Sequence, residues 1–136
     1  MILLDTSAFI GLARGDPFTT EARAAIASAA ASEALWVSSI TAWELGLLAT
    51  RTGRTGPLIG DARQLFGSVV AQARLKILLL TAEAALDAAY LPEPFHRDPS
   101  DRMIVALARL ANLVIATNDR LILDYAARGH VRAIGI

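Results

Sequence analysis

Four acidic residues stand where the chain passes from one element into a helix. Asp5 follows the apolar run "ILL", Glu44 lies in "VSSITAWELGLLA" and Asp119 lies in "LVIATNDRLI". Asp101, in "HRDPSDRMIVALA", follows a loop and opens the helix that leads to the apolar run at Leu113. Carboxylates drawn within several ångströms of one another repel, and a hard divalent cation such as Mg²⁺ or Mn²⁺ relieves that repulsion with oxygen ligands and retained waters. Such an ion lowers the pKa of a bound water and stabilises charge on phosphate oxygens, and a pair of ions about 3.5–4 Å apart serves both the attacking and the leaving oxygen. Four acids can hold one or two ions. With no Cys and two His, a zinc site is not expected.

Helix capping explains any one of these acids by itself. Thr41-Ala42-Trp43-Glu44 has the pattern of a capping box, with Thr41 at N-cap and Glu44 at N3. Asp98 reads as an N-cap with Pro99 at N1 and Asp101 at N3, and Asn118 or Asp119 can cap the helix that follows them. Each also gains about 0.3–1 kcal/mol from the helix dipole. Capping does not require the acids to meet, whereas metal chemistry does.

Whether they meet depends on the elements that carry them. Periodicity and breakers predict strands over Ile2 to Leu4, Leu35 to Ser38, Ile77 to Leu80, Leu113 to Ala116 and Val131 to Ile134. They predict helices over Ser7 to Arg14, Thr20 to Ser32, Thr41 to Arg51, Asp61 to Arg74, Ala82 to Tyr90, Pro99 to Ala111 and Arg120 to Ala127. Thr52 to Gly60 reads as a Gly-rich connection and Leu91 to Arg97 as a Pro-rich loop. Short, continuously apolar strands alternating with helices indicate a parallel sheet covered on both faces. Right-handed crossovers then bring every strand-to-helix junction to one sheet edge, where open α/β sheets bind ligands.

The 136 residues suggest one domain over 1–136, large enough for a sizeable core. Hydrophobic residues make up 54%, with much of the excess being Ala, yet no stretch approaches the ~18 uncharged apolar residues of a membrane span. The start of the chain lacks the basic region of a signal peptide. A cytoplasmic location and no membrane partner are the expectation. Thirteen basic and thirteen acidic side chains cancel, so a polyanion would need a local patch, and with Lys76 the only Lys that patch would be Arg.

The quoted segments "MILLDTSAFI", "SSITAWELGLLA", "HRDPSDRMIVALA" and "VIATNDRLI", in this order and at this length, resemble a PIN domain, and more closely the VapC toxins of bacterial toxin–antitoxin pairs. The resemblance spans nearly the whole chain. It implies a three-layer α/β/α fold with a short, mostly parallel central sheet of about four to five strands. It implies that Asp5, Glu44, Asp101 and Asp119 are the metal-binding, catalytic acids, with Mg²⁺ or Mn²⁺, one or two ions, as cofactor. Thr6 matches the family's polar residue after the first acid. Asn118, as an orienting group for Asp119 or as a cap, and Asp98, mainly a cap, are further candidates close to the metal. The implied activity is an endoribonuclease that cuts a structured RNA, often tRNA or ribosomal RNA, and so inhibits translation. The implied partners are a second copy of the chain and a VapB-type antitoxin, in a hetero-oligomer that touches promoter DNA only through the antitoxin.

Arg97, Arg102 and Arg120 flank the acids and can bind phosphates, or simply face solvent at helix starts. Arg51 and Arg54, in "TRTGRTG", form either a basic lip for RNA or a plain surface connection. His96 and His130 are not expected to act as general bases. Trp36 and Trp43 are expected in the core or at a contact between copies. Other readings are a PIN-fold nuclease acting on DNA or in RNA processing outside a toxin–antitoxin pair, and a non-catalytic RNA- or protein-binding module, which would lack one of the acids. A haloacid-dehalogenase-like nucleophile needs a second Asp where Ser7 stands, and a receiver domain needs paired early acids with a late Lys. No Walker loop or GxGxxG is present.

Overall fold

The computed structural model describes residues 1–53, 56–57 and 60–136. Among them, seven helices surround a five-stranded, all-parallel sheet. The strands are β1 (Ile2–Leu4), β2 (Leu35–Ser38), β5 (Lys76–Leu78), β6 (Val114–Thr117) and β7 (Arg132–Gly135). The helices are α1 (Thr6–Arg14), α2 (Thr20–Ala31), α3 (Ser39–Thr50), α4 (Ala62–Gln72), α5 (Ala82–Ala89), α6 (Pro99–Leu110) and α7 (Arg120–Ala127). The stretch predicted as a plain connection contributes a small antiparallel pair, β3 (Thr52–Gly53) with β4 (Gly56–Pro57).

Strand order is β5-β2-β1-β6-β7. The chain moves outward from β1 through β2 to β5, then returns to the other side of β1 for β6 and β7. The reversal falls between β1 and β6, the crevice where ligands of such sheets bind. Asp5 leaves the end of β1, and Asp119 follows the end of β6 by two residues.

Side chains alternate across the sheet. Leu3 and Ile115 point into one core with Ala88, Ile104, Val105, Ile122 and Tyr125 from α5, α6 and α7. Ile2, Leu4, Leu35, Val37 and Ala116 point into the other, with Phe9, Ile26, Leu45 and Val69 from α1 to α4. Burial on both faces is why the strands read as unbroken apolar runs. β5 differs: as an edge strand it leaves Lys76 and Ile77 exposed. Gly15 ends α1 at φ 72, the left-handed conformation in which its N–H reaches the carbonyls of Gly11 and Leu12.

One boundary departs from the sequence reading in a way that matters for the site. Helix α3 starts at Ser39, and its N-cap is Ser38, whose hydroxyl accepts the Ile40 N–H at 3.0 Å. Thr41 is therefore inside the first turn and fully buried. The Thr41–Glu44 capping box does not form, and Glu44 sits in the second turn, away from the orphan N–H groups a cap would satisfy. No described helix is long and apolar enough to cross a membrane.

Candidate active site

Asp5 follows β1 with no loop and is the N-cap of α1. Its Oδ1 accepts the Ala8 N–H at 2.7 Å and the Ser7 hydroxyl at 2.8 Å, while Oδ2 accepts the Thr117 hydroxyl. The residue is only 4% exposed. Burial pushes its carboxyl above the ordinary value; the hydrogen bonds from Thr117, Ala8 and Ser7 pull the other way, and the Asp119 charge adds to the rise. A carboxylate offers roughly four lone-pair positions, so these three donors leave capacity for a cation. Asp5 is thus both a helix cap and a wall of the acidic site.

Thr117 links two of the acids. It is fully buried at the end of β6, donates to Asp5, and accepts the Asp119 backbone N–H at 2.9 Å. Asp119 in turn caps α7 through the Leu121 N–H at 2.7 Å. Asn118 is exposed and contributes its backbone N–H to the Ser7 hydroxyl at 3.2 Å. The group that orients Asp119 is therefore Thr117, the residue before the candidate Asn118. Sequence reasoning passed over both Thr117 and Ser7. The available signals were a hydroxyl two residues before the acid at a strand end and another two residues after Asp5.

Glu44 faces the same region from α3. The Thr6 hydroxyl donates to its Oε2, and the Thr6 and Thr41 hydroxyl oxygens lie 3.3 Å apart. Burial raises the Glu44 pKa, opposed by hydrogen bonds from Thr6 and Ser100, while the Asp98 and Asp5 charges raise it further. Asp98 caps α6 by accepting the N–H groups of Ser100 (3.0 Å) and Asp101 (3.2 Å), as its sequence context predicts. Asp101 is pushed up to about 7, first by burial and then by the charges of Asp98, Asp119, Glu44 and Asp5. Every acid singled out from the sequence therefore contributes to one negative field.

The tightest group consists of Asp101, Asp119 and His96. One potential ligand atom from each lies within 4.8 Å of the other two. Asp5 and Glu44 stand outside that group, Asp5 joined to it through Thr117 and Glu44 through its charge on Asp101. The donor set fits a divalent cation: it is rich in oxygen, and Asp101 is surrounded by the charges of Asp98, Asp119, Glu44 and Asp5, which a cation would offset.

The arginines divide. Arg97, Arg120 and Arg51 are exposed around the site. Arg51 shares a groove with Thr6, Trp43, Glu44, Leu47 and Asp98. Arg54 lies outside the described residues. Arg102 is corrected from phosphate contact to structural clamp. Its guanidinium donates to the carbonyls of Ala88 (2.7 Å), His96 (3.2 Å), Phe95 and Ala89 (both 3.4 Å), and pairs with Glu93 at 3.4 Å. Trp43, expected in the core or at a contact between copies, is 54% exposed and lines the groove beside Glu44.

Acids gathered at the switch point of an open parallel sheet define a PIN-type nuclease fold with a site suited to a divalent metal. Residues 2–128 match the PIN domain family, and the chain belongs to it. Similar solved structures include VapBC2 from Rickettsia felis bound to a DNA fragment from its promoter. That match has 16% identity and a TM-score of 0.73, covering 100% of this chain and 99% of that one. FitAcB from Neisseria gonorrhoeae is 25% identical with a TM-score of 0.62, covering 98% and 96% of the two chains. DNA-bound VapBC from Salmonella typhimurium is 19% identical with a TM-score of 0.66, again covering 98% and 96%. No curated protein matches the chain.

Proposed function

We propose that this chain is a metal-dependent endoribonuclease toxin that hydrolyses phosphodiester bonds of a structured RNA, tRNA or ribosomal RNA, and is neutralised by a VapB-type antitoxin. The observation that carries the reading is the convergence of Asp5, Glu44, Asp101 and Asp119, from four separate segments, into one coupled acidic group. Asp5, Glu44, Asp101 and Asp119 would ligate Mg²⁺ or Mn²⁺, one or two ions, or position the water. An ion held there would lower the pKa of the attacking water and offset charge on the phosphate. Thr117 and Ser7 keep both Asp5 oxygens aimed, and Thr6 does the same for Glu44. Burial and the neighbouring charges raise the Asp101 carboxyl to about 7, and a cation there would favour its charged form. Arg97, Arg120 and Arg51 meet the phosphates of the RNA strand.

The likeness to the Rickettsia, Neisseria and Salmonella complexes favours a hetero-oligomer with the antitoxin, with DNA contacted through it, and a second copy of the chain completes the proposed assembly. The groove holding Trp43, Leu47 and Leu48 beside Glu44 is where an antitoxin segment would cover the site. The protein acts as one domain in the cytoplasm, where its RNA is found. Brief induced expression followed by mapping of new RNA 5′ ends tests the reading, with Asp5→Asn as control. A cluster of unique ends dependent on Asp5 supports it. Identical end profiles for the two proteins contradict it, and new ends in DNA alone reassign the substrate.

A further inference from the structure

His96 is a residue for which the proposed chemistry has no role. It lies on the loop before α6, and its Nε2 is a buried atom with no hydrogen-bond partner among the described residues. That nitrogen stands 3.5 Å from Asp101 Oδ2 and belongs to the group whose ligand atoms lie within 4.8 Å of each other. Packing alone does not account for it. The ring rests against Phe95, with centroids 4.3 Å apart, and an apolar ring would fill the same space without orphaning a nitrogen. The contact with Asp101 is an ion pair only when the ring is protonated, and no hydrogen bond joins the two.

The loop is also fixed in place. The Arg102 guanidinium holds the carbonyls of Phe95 and His96, one residue along α6 from Asp101. The same guanidinium ties the loop to α5 through the Ala88 and Ala89 carbonyls, and the imidazole stands beside Asp101 and Asp119. We infer that His96 Nε2 is a nitrogen ligand of the ion held by Asp101 and Asp119, and that the site therefore selects Mn²⁺ over Mg²⁺. Mg²⁺ takes oxygen ligands and gains little from an imidazole, whereas first-row transition ions accept a mixed nitrogen and oxygen set. The inference rests on the metal site proposed above but not on RNA being the substrate.

Pulsed electron paramagnetic resonance of the Mn²⁺-loaded full chain, with ¹⁵N-labelled histidine, reads the bond directly. The chain has two histidines, and His130 packs its ring on Tyr125 at a centroid distance of 4.6 Å, beyond the far end of α7 from Asp119. A directly bound ¹⁵N coupling is expected in the wild type and in His130→Gln, and not in His96→Gln. Titration with Mn²⁺ and Mg²⁺ should show His96→Gln losing about tenfold or more in Mn²⁺ affinity with Mg²⁺ affinity unchanged. If His96→Gln does not fold, the labelled His130→Gln spectrum decides alone. Mn²⁺ binding without histidine coupling overturns the inference and leaves the acidic metal site standing. Failure to bind Mn²⁺ at all overturns both. Histidine coupling in a protein that cuts no RNA leaves the inference intact and sinks the proposed substrate.

Discussion

Stripped of metal, the protein should lose stability as pH rises from 5 to 8, the reverse of a protein whose acids are salt-bridged. Asp101 has an ordinary value of 3.8 and is raised to about 7 in the fold. Its proton therefore favours the folded form. The stability it contributes is whole below the unfolded value and gone once pH has risen through the folded one. A window of this width has a ceiling of roughly 4 kcal/mol at about 1.4 kcal/mol per unit. The Asp101 side chain is 25% exposed. Solvent screening there, and the part of the window below pH 5, reduce the expected loss to about 1–2 kcal/mol between pH 5 and 8. Asp5 and Glu44 are raised as well and act in the same sense. The assay is urea unfolding in EDTA at pH 5, 6.5 and 8, followed by Trp fluorescence. Asp101→Asn should remove most of the slope and be more stable than the wild type at pH 8. Mn²⁺ at a hundred times its Kd should restore about 2.7 kcal/mol to the wild type at pH 8. A metal-free wild type that is more stable at pH 8 than at pH 5, or a variant that keeps the full slope, would refute the picture of uncompensated acids.

Thr117→Val should cost about 1–2 kcal/mol, because Asp5 Oδ2 and the Asp119 N–H both lose a buried partner, and it should weaken Mn²⁺ binding about tenfold or more by calorimetry. Arg102→Ala should destabilise by about 2–4 kcal/mol through its lost charge-assisted bonds to loop carbonyls, seen in thermal melts, without changing the salt dependence of RNA binding. Arg97→Ala, Arg120→Ala and Arg51→Ala should each leave stability within about 0.5 kcal/mol. Each should also lower the slope of log affinity against log salt by roughly one.

The parts of this fold that sequence reveals are those set by burial and local stops. Ile2–Leu4 and Leu35–Ser38 appear as unbroken apolar runs because both faces of the sheet are covered, and Gly15 ends α1 by its conformation. Once the sheet is parallel, topology alone sends Asp5 and Asp119 to one edge. The start of α3 was hidden because Ser38 is at once the last residue of β2 and the cap of the helix, while Thr41 and Glu44 imitate a cap three residues further on. Thr117 was hidden because its partner Asp5 is 112 residues away, and only the pairing of β1 with β6 brings them together. Arg102 sits beside Asp101 in sequence, but neighbours on a helix point about 100° apart, so one faces the acids and the other the loop. His96 looked like an incidental loop residue for the same reason: what aims it is a tertiary clamp.

RNA cleavage by the purified protein under metal control tests the central claim most directly. Single-turnover cleavage of a substrate found by end mapping should vanish in EDTA and return with added Mn²⁺ for the wild type. Asp5→Asn and Asp119→Asn, folded by circular dichroism, should not recover it. Cleavage that persists in excess chelator, or that survives in both variants, would contradict an acidic metal site as the source of activity.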